Sequence, residues 1–101
     1  MVLEVADIRI QPGRQLAFEQ ALARGVATVI SRAKGFRGCE VRRGVENPDR
    51  YLLMISWDTL ENHTVDFRES PAFAEWRAIV GPFFAHPPQV EHFTQPETGH
   101  D

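Results

Sequence analysis

Apolar and polar positions alternate in several short stretches of this 101-residue chain, and two longer runs carry apolar residues every three or four positions. Val2 to Ile10, "VLEVADIRI", is rich in β-branched residues and is stopped by Gln11-Pro12-Gly13, which predicts a first strand ending in a Pro-Gly turn. Ala6, Ile8 and Ile10 fall on one side of it, and Leu3, Val5, Asp7 and Arg9 on the other. From about Arg14 to Lys34, Phe18, Ala21, Leu22, Gly25, Val29 and Ala33 form the stripe of an amphipathic helix. Gly25 lies on that stripe and is expected to let the helix approach a sheet closely. Gly35 suits a left-handed C-cap, with Phe36 folding back on the last turn.

"FRGCEVRRGVE" sets Cys39, Val41, Arg43 and Val45 against Glu40 and Arg42, and the turn "ENPD" joins it to "RYLLMISW" as a β-hairpin. This second arm is unusual because both of its faces are apolar. Tyr51, Leu53, Ile55 and Trp57 point one way, and Leu52, Met54 and Ser56 the other. Asp58 and Glu61 have the spacing of a capping box, predicting a short helix through about Arg68. Ser70 and Pro71 then start a second one that runs to Val80, with Phe73, Trp76, Ile79 and Val80 as its apolar side, before Gly81-Pro82 ends it. "QVEHFT" is a last strand with Val90 and His92 on one face and Glu91 and Phe93 on the other. Residues 96–101 read as a polar tail behind a single domain, 1–95.

Strand, helix, strand, strand, helix, strand is the order of an α+β ferredoxin-like βαββαβ fold with a four-stranded antiparallel sheet. Both helical segments then cover one face of the sheet. The other face needs a second copy of the chain or a ligand, because a bare apolar sheet face would reach several hundred Å². A homodimer is expected, its two sheets packed face to face as a dimeric α/β barrel.

Composition narrows the partners. The net charge is -3 and no basic cluster exceeds Arg42-Arg43, so the footprint of a nucleic-acid binder is missing. Cys39 is the single cysteine, which rules out an intrachain disulfide and cysteine-rich metal sites, and no metal is expected. With neither an apolar membrane span nor a secretory leader, the expected location is the cytoplasm. Paired carboxylates, a glycine-rich phosphate loop and a nucleophile elbow are not apparent.

Taken together in order and spacing, "IRIQPG", "GFRGCEV", "YLLMISWDTLENH", "FRESPAFAEW", "GPFF" and "VEHF" resemble the antibiotic biosynthesis monooxygenase (ABM) family of dimeric α+β barrels over nearly the whole chain. The resemblance implies one of several activities. Members include cofactor-independent monooxygenases of polycyclic phenols or quinols, relatives that bind and degrade heme, and small proteins without known activity. Trp57 matches the tryptophan that lines the family's cavity and helps hold an aromatic substrate. Leu53 stands where the phenol-oxidising members carry an asparagine. Ala6 and, approximately, Phe67 stand where the heme-degrading members carry an asparagine and an axial histidine, so heme is the lesser expectation.

These residues define the expected site. His63, six positions after Trp57 at the mouth of the cleft, is the candidate proton shuttle; its bland alternative is a histidine bonded to a backbone carbonyl. Trp57 is either a stacking platform or one large core residue. Tyr51 shares its face and could orient a ligand, or simply reach the rim. Phe67, with Phe73 and Trp76, has the spacing of core, and Phe67 also falls beside the expected substrate. His92 is expected in dimer packing, Cys39 as a small buried hydrophobe, and His86 and His100 without a role. The expected function is a cofactor-independent monooxygenase that binds a phenol or quinol as its anion, without flavin or metal. The alternative is a non-catalytic dimeric barrel that binds a hydrophobic small molecule; a third reading is a barrel filled by its own side chains.

Overall fold

A computed structural model describes residues 1–95 of the chain; the expected tail, with His100, lies outside the described residues. The elements are β1 (Val2–Arg9), α1 (Gln15–Thr28), β2 (Phe36–Arg43), β3 (Arg50–Trp57), a π-helix (Asn62–Phe67), α2 (Pro71–Val80) and β4 (Gln89–Thr94). The strands form one antiparallel sheet in the order β2-β3-β1-β4, the expected ferredoxin-like arrangement. Alternation settles which face each residue takes. Ala6, Ile8, Tyr51, Leu53, Ile55 and Trp57 are buried beneath α1 and α2, together with Phe18, Leu22, Trp76 and Val80. Among the described residues, no helix is long and apolar enough to cross a membrane.

The long helix stops earlier than its apolar stripe. Thr28-Val29-Ile30 is a β-branched run, and the Thr28 and Ser31 hydroxyls donate back to the carbonyls of Arg24 and Ala27 (2.8 and 3.0 Å), a pattern that weakens helix continuation. Val29 leaves helical geometry (φ -122°) and the stripe ends in a 3₁₀ turn, Ile30–Arg32. Gly35 has the expected positive φ of 82°, but it follows this turn instead of capping α1. Phe36 is half-buried and meets the Trp57 ring edge-on. A bulge at the start of β2, between Phe36 and Gly38, adds a residue opposite β3.

Gly25 makes its close approach to α2, not to the sheet as expected. A Cβ there would lie 2.7 and 2.9 Å from two carbons of the Trp76 ring. The capping box is also displaced by one residue. Thr59 and Asn62 exchange hydrogen bonds, the Thr59 N–H donating to Asn62 Oδ1 (3.0 Å) and the Asn62 N–H to Thr59 Oγ1 (3.1 Å). Asp58 is drawn away by Arg37. The segment then widens into a π-helix, in which the Arg68 N–H reaches back five residues to the His63 carbonyl (3.1 Å). Gly81-Pro82 does not stop α2 cleanly, because a 3₁₀ turn continues through Phe83. Hydrogen bonds from Gln11 N to Phe83 O and from Ala85 N to Arg9 O pin that turn to the end of β1.

The outer face of the sheet is left uncovered by the chain's own helices. Leu3, Val5, Leu52 and Met54 are half-buried there and Phe93 is exposed, with the Asp7–Arg50 ion pair (3.1 and 2.8 Å) beside them.

Gly25→Ala is expected to lower stability. Overpacking against Trp76 costs about 1–3 kcal/mol, against a helix-propensity gain of about 1 kcal/mol. In a Trp76→Ala background the same substitution is expected to stabilise, and urea midpoints of the four proteins check the change of sign.

Candidate functional site

Glu4 occupies the β1 position in phase with Ala6, Ile8 and Ile10, so the pleat that buries those residues carries a carboxyl group under the helices with them. It is 6% exposed. The Trp57 indole N–H donates to its Oε1 at 2.9 Å. Directly across the sheet, β1 and β4 pair Glu4 with His92. The π-helix lowers His63 over both, with Nε2 3.4 Å from Glu4 Oε1 and Nδ1 2.8 Å from His92 Nε2. His63 is 4% exposed, and its ring stacks on Trp57 (centroids 5.4 Å apart, 16° between planes). Phe67, four residues on, lies against both rings.

Burial sets the protonation of this group. Loss of water around Glu4 outweighs the Trp57 hydrogen bond and the positive charge of Arg68, and pushes its pKa up from 4.5 to about 7. Burial, with Arg68 and His92 adding repulsion, lowers His63 from 6.5 to about 4, and His92 is lowered by the same burial and the same arginine. Burial therefore favours the uncharged form of all three groups, and Glu4 is left to titrate near neutral pH. A proton can move along Glu4, His63 and His92 by a change of tautomer at His63.

A cavity of about 940 Å³ opens beside this chain of groups. Glu4, Ala6, Leu53 and Ile55 form its floor on the sheet; His63 and Phe67 form one side; Phe73 and Trp76 form part of the opposite wall, and His86 lies at its edge. Trp57 is fully buried behind His63 and Phe67 and does not reach the cavity wall. Tyr51 is buried elsewhere. Its hydroxyl donates to Glu19 Oε2 (2.6 Å), to which Arg43 also donates (3.1 Å), and burial together with the Glu19 bond raises its pKa to about 12. It lines a separate hollow between α1 and β2, where Cys39 is half-buried with its thiol pushed up by burial and by Glu40.

His92 faces the helices and bonds to His63, which corrects its expected place in dimer packing; alternation put it on the face of Val90, and that is the inner face. Glu4 was not anticipated, although a charged residue in phase with three buried apolar ones is a readable signal. Ala6 and Leu53, which the family resemblance matches to asparagines, pair across β1 and β3 on the cavity floor, leaving the nearby polar function to Glu4. Among the described residues no set of side chains converges on a metal position. Both ring nitrogens of His63 are turned to protein partners, so this residue does not fit as an axial heme ligand.

Comparisons with known proteins bear on the family and the fold. The sequence pattern of the antibiotic biosynthesis monooxygenases matches residues 1–79. The uncharacterised protein YczJ of Bacillus subtilis strain 168 is 40% identical over 93 residues, 92% of this chain and 97% of its own length. A Bordetella bronchiseptica crystal structure, provisionally described as an antibiotic biosynthesis monooxygenase, superposes with a TM-score of 0.88 at 44% identity, covering 94% of this chain and 96% of that one. A Streptomyces nogalater structure, a point mutant of SnoaB, described as a cofactor-independent oxygenase, shares the fold at 20% identity with a TM-score of 0.75, covering 95% of this chain and 93% of its own.

The two buried groups give opposite pH dependences of stability. Glu4, with its folded pKa raised, contributes stability that is full below 4.5 and lost as pH rises through about 7; His63, with its folded pKa lowered, contributes stability that is full above 6.5 and lost as pH falls through about 4. The slopes oppose each other between pH 4.5 and 6.5. In Glu4→Gln, urea midpoints are expected to climb with pH across that window, and in His63→Gln to fall, each by an amount on the order of 3 kcal/mol in unfolding free energy.

Proposed function

The chain belongs to the antibiotic biosynthesis monooxygenase family, and on that premise we propose that it is a cofactor-independent monooxygenase of a phenol or quinol-type aromatic molecule bound in the 940 Å³ cavity. One observation carries the proposal: a buried carboxyl poised near neutral pH, Glu4, facing an apolar space large enough for a fused-ring substrate.

In this reading the ring lies on Ala6 and Leu53 and against Phe67, and its hydroxyl meets Glu4 and His63 at the floor. The Glu4 carboxylate takes the hydroxyl proton, since its pKa lies near the operating pH where a general base is most effective. His63 and His92 then carry the proton away from the cavity. Trp57 acts behind the wall, holding Glu4 through its N–H and His63 through stacking. Tyr51, tied to Glu19, supports the fold beside the site. The electron-rich anion itself reduces oxygen: a phenol and O₂ become a quinone and water, one oxygen atom entering a ring carbon and the other leaving as water. The four electrons come from the substrate, so no outside reductant is needed. Exclusion of water and fixed orientation of the ring are the protein's further contributions.

The uncovered outer face supports a homodimer through Leu3, Val5, Leu52, Met54 and Phe93, with the cavities on the opposite side of each sheet. Sedimentation velocity is expected to show a dimer for the parent and a monomer for Met54→Arg; a monomeric parent would remove this assembly.

Oxygen uptake with a panel of quinols and polycyclic phenols, corrected for autoxidation, tests the activity. Glu4→Gln is expected to lose tenfold or more, about 1.4 kcal/mol of transition-state stabilisation, and to lose the rise in rate around pH 7. Trp57→Phe removes the donor to Glu4, and is expected to move that rise to higher pH. A folded protein that binds these compounds but consumes no oxygen would be the non-catalytic binding module instead.

A further inference from the structure

One end of the Glu4, His63 and His92 group meets the cavity, and the other meets water. Glu4 and His63 are buried and border the cavity, whereas His92 is half-buried on the edge strand β4 and does not line it. His92 Nε2 faces His63, and its Nδ1 has no hydrogen-bond partner among the described residues. Gln95 Oε1 is the one buried side-chain nitrogen or oxygen among them that lacks a partner, so His92 Nδ1 is not buried and water reaches it.

Each junction of the group holds a single proton. Nitrogens 2.8 Å apart leave room for one hydrogen between them, and a neutral imidazole has one donor and one acceptor nitrogen. With Glu4 ionised, His63 turns its Nε2–H toward Glu4 Oε1 across 3.4 Å, His92 donates from Nε2 to His63 Nδ1, and the outer Nδ1 of His92 is bare. A proton arriving at that outer nitrogen moves the next two along: His92 Nε2 gives its own to His63 Nδ1, and His63 Nε2 gives its own to Glu4. The carboxyl is then neutral, and both rings are neutral again with their protons on Nδ1. The reverse sequence returns one proton to water. The surroundings favour this neutral traffic. Burial, and then the charge of Arg68 at the end of the π-helix, disfavours imidazolium at both rings. From β3, Trp57 donates to Glu4 without titrating, and α2 adds a second cation, Arg77, to the same cavity.

We infer that His92 Nδ1 is the port through which Glu4 exchanges its proton with water, the two histidines changing tautomer in step and neither becoming charged. This deepens the proposed function and rests on its reading of Glu4 as the proton acceptor. His92 acts through His63 and is a positioning residue for the proton. Glu4 can thus be discharged from outside while a molecule fills the cavity.

Long-range proton–nitrogen NMR spectra of the isotopically labelled full chain test this without depending on oxygen uptake. As pH falls through about 7, both rings are expected to pass from Nε2–H to Nδ1–H with a shared midpoint and no imidazolium signal. In Glu4→Gln that shared change is expected to disappear from both rings. In His92→Gln, whose amide has no second ring nitrogen to pass a proton on, the His63 signal is expected to broaden or split across the transition while the parent's stays sharp. Imidazolium at either ring within this transition, a change at one ring without the other, fixed tautomers throughout, or an unaltered change in Glu4→Gln overturns the inference. So does a His63 signal in His92→Gln as sharp as the parent's. Coupled tautomers without oxygen uptake would leave the port standing and remove the monooxygenase, and uptake without the coupling would do the reverse.

Discussion

A carboxyl group held out of water on the apolar face of a sheet is the constraint around which this molecule is arranged. Placing Glu4 among Ala6, Ile8 and Leu53 is costly unless its oxygen finds a donor, and the fold supplies one from the far end of β3 in the indole of Trp57. The antiparallel register brings the two ends together, since Val2 pairs with Trp57. His63 then needs the π-helix, whose wide turn places both it and Phe67 against that indole. The hydrogen bonds between Thr59 and Asn62 fix where this turn begins, so a local capping contact determines the position of a ring nitrogen above the sheet.

The fold was legible because each element had a strong local signature. Period-two alternation marked the strands, Pro71 the start of α2, and the order of elements the topology. What escaped was the competition between signals. The apolar stripe of α1 continues past Thr28, yet hydroxyl groups bonded to the preceding turn end the helix there. Asp58 and Thr59 both qualify as caps by residue type, and the Asp58–Arg37 ion pair decides between them. Neither outcome depends on spacing alone.

The site was half legible. His63 and Phe67 were visible from their distance to Trp57, and both border the cavity. Trp57 and Tyr51 share a face with the cavity floor without reaching the cavity, because position along a strand decides what lies overhead and alternation carries no such information. Glu4 and His92 sit opposite one another only through the pairing of β1 with β4, elements separated by most of the chain. Ala6 and Leu53, which the family resemblance matches to asparagines, face one another through the pairing of β1 with β3.

The bulge that opens β2 has a bearing on solubility. β2 is one of the sheet's two edge strands, and an edge of regular backbone can template pairing with a strand from another molecule. The extra residue between Phe36 and Gly38 breaks the repeat of that edge, and the ion pairs of Arg37, Arg42 and Arg43 set charged groups along it. A foreign strand would meet a broken hydrogen-bond ladder and displaced charges. This edge is thus poorly suited to stacking into fibrils, while the outer apolar face remains available for association.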